Sequence, residues 1–293
     1  MPPRKKAVLI TGCSADGVGA TLAYTLAEQG HHVYATARNT AKIPPAVREL
    51  DNVTTLQLDV ASAASITAAS KAVREAGRGL DVLVNNAGEE VTAPLLDLAI
   101  GEGSASRDVF EVNVWGPLRL VQTFADLLVE SRGRVVNMTS VDVELCPPWI
   151  GMYTASKAAL NAFSETLRLE MMPLGVGVVL IKIGTIATKH HTGGPSPVLP
   201  EGSYYTSILD YITRWATGVA GPERGSVQDF VNDIVHDVVG ERKTKTGIVW
   251  RGAHSGACWF ATRFLPTYIV DRLVTKDHGI EELTHNRIIS KSE

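Results

Sequence analysis

The sequence is short of cysteine: Cys13, Cys146 and Cys258 are its only three in 293 residues. Their odd number and wide spacing make neither a disulfide framework nor a CxxC-type metal site, which fits a reducing compartment. It also lacks an excess of one charge. The 28 Lys and Arg against 31 Asp and Glu leave a formal net charge of -3, so there is no global cationic surface to attract nucleic acid, which is excluded as a partner. A long apolar run is missing too. The most apolar interior stretch, Val176 to Ile186, is broken by Lys182 and falls short of the roughly 20 residues a spanning helix needs. After the basic Met1 to Lys6, the apolar Ala7 to Ile10 is too short for the hydrophobic region of a signal peptide. A cytoplasmic protein is expected. The His31/His32 and His190/His191 pairs have no acidic or Cys partner at ligand spacing, so no metal is expected.

What is present is a large apolar fraction, 45% of the residues, enough for one substantial core without staples. Short apolar runs alternate with helix-length amphipathic segments. The runs are Ala7 to Thr11, His32 to Thr36, Val53 to Leu58, Leu80 to Asn85, Arg134 to Thr139, Val176 to Lys182 and Thr246 to Trp250. The intervening segments are Gly19 to Gln29, Ser62 to Ala76, Arg107 to Ser131, Gly151 to Met171 and Ser226 to Val238. This βαβα rhythm, with strands apolar throughout instead of alternating, predicts an α/β fold: a doubly wound, mostly parallel seven-stranded sheet with helices on both faces. Residues 1–250 form the dinucleotide-binding domain in this reading. A Gly- and Pro-rich insertion at about 185–225, containing Gly193, Gly194, Pro195, Pro197 and Pro200 and then Tyr204, Tyr205, Tyr211 and Trp215, is placed to cover a substrate beyond the strand ends. Residues 251–293 form an amphipathic tail, rich in Trp259, Phe260, Phe264, Tyr268 and Leu273. It is expected to pack on the domain or on a partner subunit, with peripheral membrane contact as the second reading.

The first strand runs into TGCSADGVGA. Gly12, Gly17 and Gly19 permit a tight turn that brings backbone N–H groups, with Ser14 and Val18, to a pyrophosphate at a helix N-terminus. An acidic side chain beside a pyrophosphate repels it, so Asp16 is expected to point to solvent or to cap the helix. Together with NNAG at Asn85 to Gly88 and YTASK at Tyr153 to Lys157, this turn resembles the short-chain dehydrogenase/reductase family over roughly residues 7–250. The spacing differs in one place: four residues, not three, separate Gly12 from Gly17. The resemblance implies that Asp59 and Val60 lie against an adenine, and that Asn86, Ala87 and Gly88 line the cofactor cleft. After the sixth strand the family's Pro-Gly is replaced by Ile183-Gly184. Gly184 and Ile186 are still expected at the nicotinamide carboxamide, and Thr188 at the phosphates.

The second strand ends HHVYATARNT, with no carboxylate where one would hold a ribose 2′-hydroxyl. Arg38 stands there instead and offers a planar cationic fork to a 2′-phosphate, which favours NADPH/NADP+. Tyr153 and Lys157 are four residues apart, on one helix face. An ammonium near the phenol, with the positive charge of an oxidised nicotinamide, lowers the tyrosine's proton affinity toward neutrality. By the resemblance, Ser140 at the end of the fifth strand orients the substrate oxygen and Asn113 supports the lysine and a water. Asn113, Ser140, Tyr153 and Lys157 are therefore the candidate catalytic set for hydride transfer between nicotinamide and a ketone or secondary alcohol. Ser140, Asp142, Trp149 and Tyr153 are the candidate substrate contacts, with Glu89, Glu90, Glu144 and Met152 nearby in sequence. The TGCS turn, PPWIGMYTASKAAL and the WRG-led tail are similar to a fungal branch of the family that includes acyl-dihydroxyacetone-phosphate reductases and secondary-metabolite ketoreductases. Two other readings stand beside reduction: non-reductive chemistry (dehydration, isomerisation, cyclisation) on the same residue set, and a non-catalytic NADP(H) sensor, which would not need the proton relay. By the family resemblance a dimer or tetramer is expected, through the long helices at Arg107 to Ser131 and Gly151 to Met171.

Overall fold

The computed structural model describes residues 4–188, 196–240 and 246–289. Gly193, Gly194, Pro195 and the His190/His191 pair lie outside the described residues. In chain order, β1 (Ala7–Ile10), α1 (Val18–Glu28), β2 (His32–Ala37), α2 (Pro45–Arg48), β3 (Val53–Gln57), α3 (Ala63–Glu75) and β4 (Val82–Asn85) make the first half. The second half is α4 (Ala105–Phe110), α5 (Gly116–Glu130), β5 (Arg134–Ser140), α6 (Asp142–Leu145), α7 (Gly151–Met171), β6 (Gly177–Ile183), α8 (Leu209–Ala216), α9 (Val227–Val239) and β7 (Gly247–Arg251). The tail follows as α10 (Ser255–Phe264), α11 (Thr267–Thr275) and α12 (Ile280–Ile289).

The strands lie in the order β3-β2-β1-β4-β5-β6-β7, and every pairing is parallel. Alternate residues along each strand face opposite sides of a sheet, and here both sides are apolar. Val8 and Ile10 of β1 join Leu22, Leu26, Phe230 and Ile234 of α1 and α9 in one core. Ala7 and Leu9 join Ile66, Val73, Leu120 and Phe124 of α3 and α5 in the other. This is why the strands read as continuous apolar runs. Ser62 and Ser226 cap α3 and α9, each side chain accepting the N–H of the residue three positions on, as N-cap serines do.

The single helix expected over Arg107 to Ser131 is divided by a π-helical turn at Glu111–Trp115. An i→i+5 turn inserts one residue into the helix and swings its side chains out of the regular stripe, and Asn113 sits at its centre, fully buried. The chain beyond β6 carries a third, smaller core. Trp149, Ile208 and Ile212 pack with Tyr205, Tyr211, Trp215, Ile280 and Leu283, so the segment around α8 and the tail are joined through the loop before α7. The tail is packed on the domain, but on one side only: Phe264 and Tyr268 remain 62% and 72% exposed. Among the described residues no helix is long and apolar enough to cross a membrane.

Candidate active site

The C-terminal ends of β1, β2, β4 and β5 converge on one edge of the sheet, where doubly wound folds bind ligands. Gly12 leaves β1 at φ +74, a left-handed conformation that favours glycine. A Cβ on Gly19 would stand 2.4 Å from the Gly12 carbonyl oxygen, so only glycine lets the helix start approach the turn. Gly17 is the N-cap of α1, with no acidic residue in the first turn; as at any helix start the leading N–H groups have no intrahelical partner, which suits an anion. Asp16, at φ 61, is exposed, as expected of an acidic side chain beside this turn. Of the turn's other candidates, Ser14 is exposed and Val18 buried.

Thr11 is the hub of this corner, and the sequence reading missed it. Its hydroxyl accepts the backbone N–H of Asn86 and of Ala87, both at 2.9 Å, while Asn86 Nδ2 donates to the carbonyls of Thr11 and Gly12. The NNAG segment is thereby fastened to the Gly-rich turn. The available signal was a small hydroxyl residue at the strand end immediately before Gly12. Asp59 opens the turn after β3, its carboxylate accepting the Ala61 N–H at 3.0 Å, with Val60 buried beneath. Arg38 follows β2, and its guanidinium meets the Glu89 carboxylate at 2.9 Å. This glycine cradle, open helix N-terminus and cationic arm fit a dinucleotide.

Gly88 lies against the second group of residues: a Cβ there would be 3.4 Å from Asn113 Oδ1 and 3.6 Å from Lys157 Nζ. Asn113 accepts from Glu89 N–H at 2.9 Å and donates to Glu89 C=O at 2.8 Å and to Ser156 Oγ at 3.0 Å. Ser156 in turn donates to the carbonyl of Tyr153. Lys157 Nζ donates to the Met138 carbonyl at 3.0 Å and stands 5.7 Å from the Tyr153 ring centre. Ser140 donates to Asp142 Oδ2 at 2.8 Å and accepts the Asp142 N–H at 3.1 Å. The structure thus brings Asn113, Ser140, Asp142, Tyr153 and Lys157 together from β5, α6, α7 and the π turn.

Burial sets the electrostatics. It lowers Lys157 from 10.5 to about 8, against the pull of Glu90 in the other direction. In the protein without a nicotinamide, burial, then Asp142 and Glu90, push the Tyr153 phenol well above the usual tyrosine value, and a hydrogen bond with Ser140 opposes them only partly. Desolvation of the phenolate dominates here, and a bound cationic nicotinamide would act against it.

Other candidates fall elsewhere. Trp149, expected at the substrate, is buried at φ 73, its indole N–H donating to the His278 carbonyl at 3.2 Å and its ring 5.4 Å from Tyr205; it joins the covering segment to the tail. Glu144 pairs with Lys182, which is buried in β6 beneath the Trp250 ring. Gly184 has to be glycine, because the Ala253 carbonyl oxygen lies 1.9 Å from where a Cβ would stand. The Ile186 side chain belongs to the first core, its backbone pairs with Gly225, and Thr188 N–H donates to the Ile186 carbonyl at 2.9 Å.

The comparisons with known proteins agree with this geometry. The profile of the short chain dehydrogenase family matches residues 6–194. The chain is 39% identical over 277 residues to the short-chain dehydrogenase ptmH of Penicillium ochrochloron, covering 94% of this chain and 99% of that protein. It is 37% identical over 211 residues to the NADPH-dependent 1-acyldihydroxyacetone phosphate reductase of Schizosaccharomyces pombe, covering 69% and 68%. Among solved structures, a short-chain dehydrogenase from Streptomyces avermitilis superposes with a TM-score of 0.73 at 26% identity, over 99% of each chain.

Proposed function

Because the chain belongs to the short-chain dehydrogenase family, and is therefore an oxidoreductase of alcohol and carbonyl groups, we propose that it reduces a ketone with NADPH and oxidises the corresponding secondary alcohol in reverse. The observation that carries the proposal is the meeting of Ser140, Tyr153 and Lys157 beside Gly88, at the edge of the glycine cradle. When bound, the nicotinamide dinucleotide supplies or takes the hydride. In this reading the Gly12–Gly19 turn holds the pyrophosphate and Arg38 the 2′-phosphate.

Tyr153 donates the proton to the carbonyl oxygen, and Ser140 turns its hydroxyl from Asp142 to that oxygen and orients it. Lys157, with a pKa of about 8, both holds and yields a proton near neutral pH and so replenishes Tyr153. Asn113 fixes the floor of this path by gripping Glu89 and Ser156. The printed name of the Schizosaccharomyces relative, an NADPH-dependent reductase, supports the cofactor choice. Exposed Trp115 and Phe163, 6.0 Å apart on neighbouring helices, support a homo-oligomer through the faces of α5 and α7.

The test is consumption of NADPH and NADH, followed by absorbance, against a panel of ketones that includes acyl-dihydroxyacetone phosphate and polycyclic ketones. NADPH-linked turnover is expected, falling by about 10² to 10⁴-fold in Tyr153→Phe while dinucleotide binding persists. No cofactor consumption across the panel, or near-normal turnover in Tyr153→Phe, defeats the reading.

A further inference from the structure

The strand order places β2 and β4 on either side of β1, so their ends are two strand spacings apart, about 10 Å. The adenosine half of a dinucleotide crosses the end of β1 in that gap. Arg38 rises from the β2 side and Glu89 from the β4 side, and their side chains meet at 2.9 Å above it. The pair spans the end of β1 at the mouth of the crevice where doubly wound folds take a dinucleotide.

Both ends of the bridge have fixed roots. The Arg38 carbonyl accepts from Gln57 Nε2 at 3.2 Å. The Glu89 peptide is held by Asn113 through both its N–H and its C=O. Only the side chains have to swing, and both are solvent-accessible, at 70% for Arg38 and 36% for Glu89. An exposed ion pair of this kind is weak. It does not lock the cleft; it sets how much of the Arg38 charge is available to an incoming phosphate.

We propose that Glu89 is a specificity-tuning residue: in the cofactor-free protein its carboxylate stands in for the 2′-phosphate on Arg38, and a phosphorylated ribose must displace it. This rests on Arg38 as the 2′-phosphate site. A ribose with a free 2′-hydroxyl brings no anion to exchange for the carboxylate. The bridge therefore lowers affinity for the phosphorylated form relative to an unopposed arginine, and Glu89 moderates the preference that Arg38 creates.

The experiment measures binding of adenosine 2′,5′-bisphosphate and of 5′-ADP by calorimetry, without substrate, to wild type, Glu89→Gln, Arg38→Gln and the double variant. Glu89→Gln is expected to tighten the 2′,5′-bisphosphate about two- to five-fold and to change 5′-ADP by less than two-fold. In the Arg38→Gln background the same change is expected to do nothing, because the cation it competes for is gone. No gain in Glu89→Gln, or an equal gain with Arg38 absent, overturns the proposal. If Arg38→Gln weakens both nucleotides equally, it is the 2′-phosphate role of Arg38 that fails, and the tuning role with it. Glu89→Asp, which keeps the charge on a shorter arm, checks folding and is expected to fall between wild type and Glu89→Gln.

Discussion

Asn113 grips Glu89 by both polar groups of its peptide unit, accepting the N–H at 2.9 Å and donating to the C=O at 2.8 Å. The π turn that carries Asn113 is what brings an amide side chain to the segment just beyond β4, twenty-four residues earlier in the chain.

Replacing Asn113 by alanine strands the Glu89 N–H and C=O and removes the donor that Ser156 Oγ accepts from. A buried polar group left unpaired costs about 1–3 kcal/mol, so Asn113→Ala is expected to lower Tm by roughly 2–8 °C. Turnover is expected to fall more than about ten-fold, since the floor of the proton path moves with Glu89. Unchanged melting and unchanged kcat would remove Asn113 from the network.

Lys157 is costly to bury. Its folded pKa of about 8 lies below the ordinary 10.5, so the charged form is disfavoured in the fold. Below pH 8 both folded and unfolded chains carry the proton and the full penalty applies. Between about 8 and 10.5 the unfolded chain binds more protons, so stability rises with pH and the penalty fades. Lys157→Met is therefore expected to be inactive but more stable at pH 7, by an amount on the order of 2 kcal/mol, with the gain shrinking toward pH 10.5. Denaturant melts of both proteins across that range read it; a difference independent of pH contradicts the buried-ammonium account.

Arg38→Asp replaces the cationic fork by a carboxylate suited to a ribose hydroxyl. The NADPH/NADH ratio of kcat/KM is expected to fall at least about ten-fold, as the loss of a charge-assisted contact and the gain of a repulsion combine. An unaltered ratio would mean that the 2′-phosphate is read elsewhere.

Several features were legible because they are local. The strand at Val176 to Lys182 could be placed almost to the residue, since the buried Gly177–Lys182 stretch of β6 carries four consecutive apolar residues, Val178 to Ile181. Tyr153 and Lys157 could be put on one helix face for the same reason. The π turn was not legible: one extra residue in a helix shifts the apolar stripe too little to register in a window of side chains. Trp149 read as a substrate contact because its neighbours in the chain flank the site, yet its indole is committed to His278, 129 residues away. The burial that pushes the Tyr153 phenol upward was not legible either, because a spacing reports which groups are near, not how much water is excluded around them.

By itself, the sequence determined the order of strands and helices, the glycine turn, and which chemical groups stand one helical turn apart. These follow from rise per residue and from backbone freedom at glycine, both properties of a short stretch of chain. Only the tertiary structure decided that Arg38 faces Glu89, that Asn113 holds the segment just beyond β4, and that Lys157 is buried deeply enough to give up its proton near neutral pH. Those depend on the parallel order β3-β2-β1-β4 and on helices closing both faces of the sheet, and no local spacing encodes either the distance between strand ends or the dielectric around them.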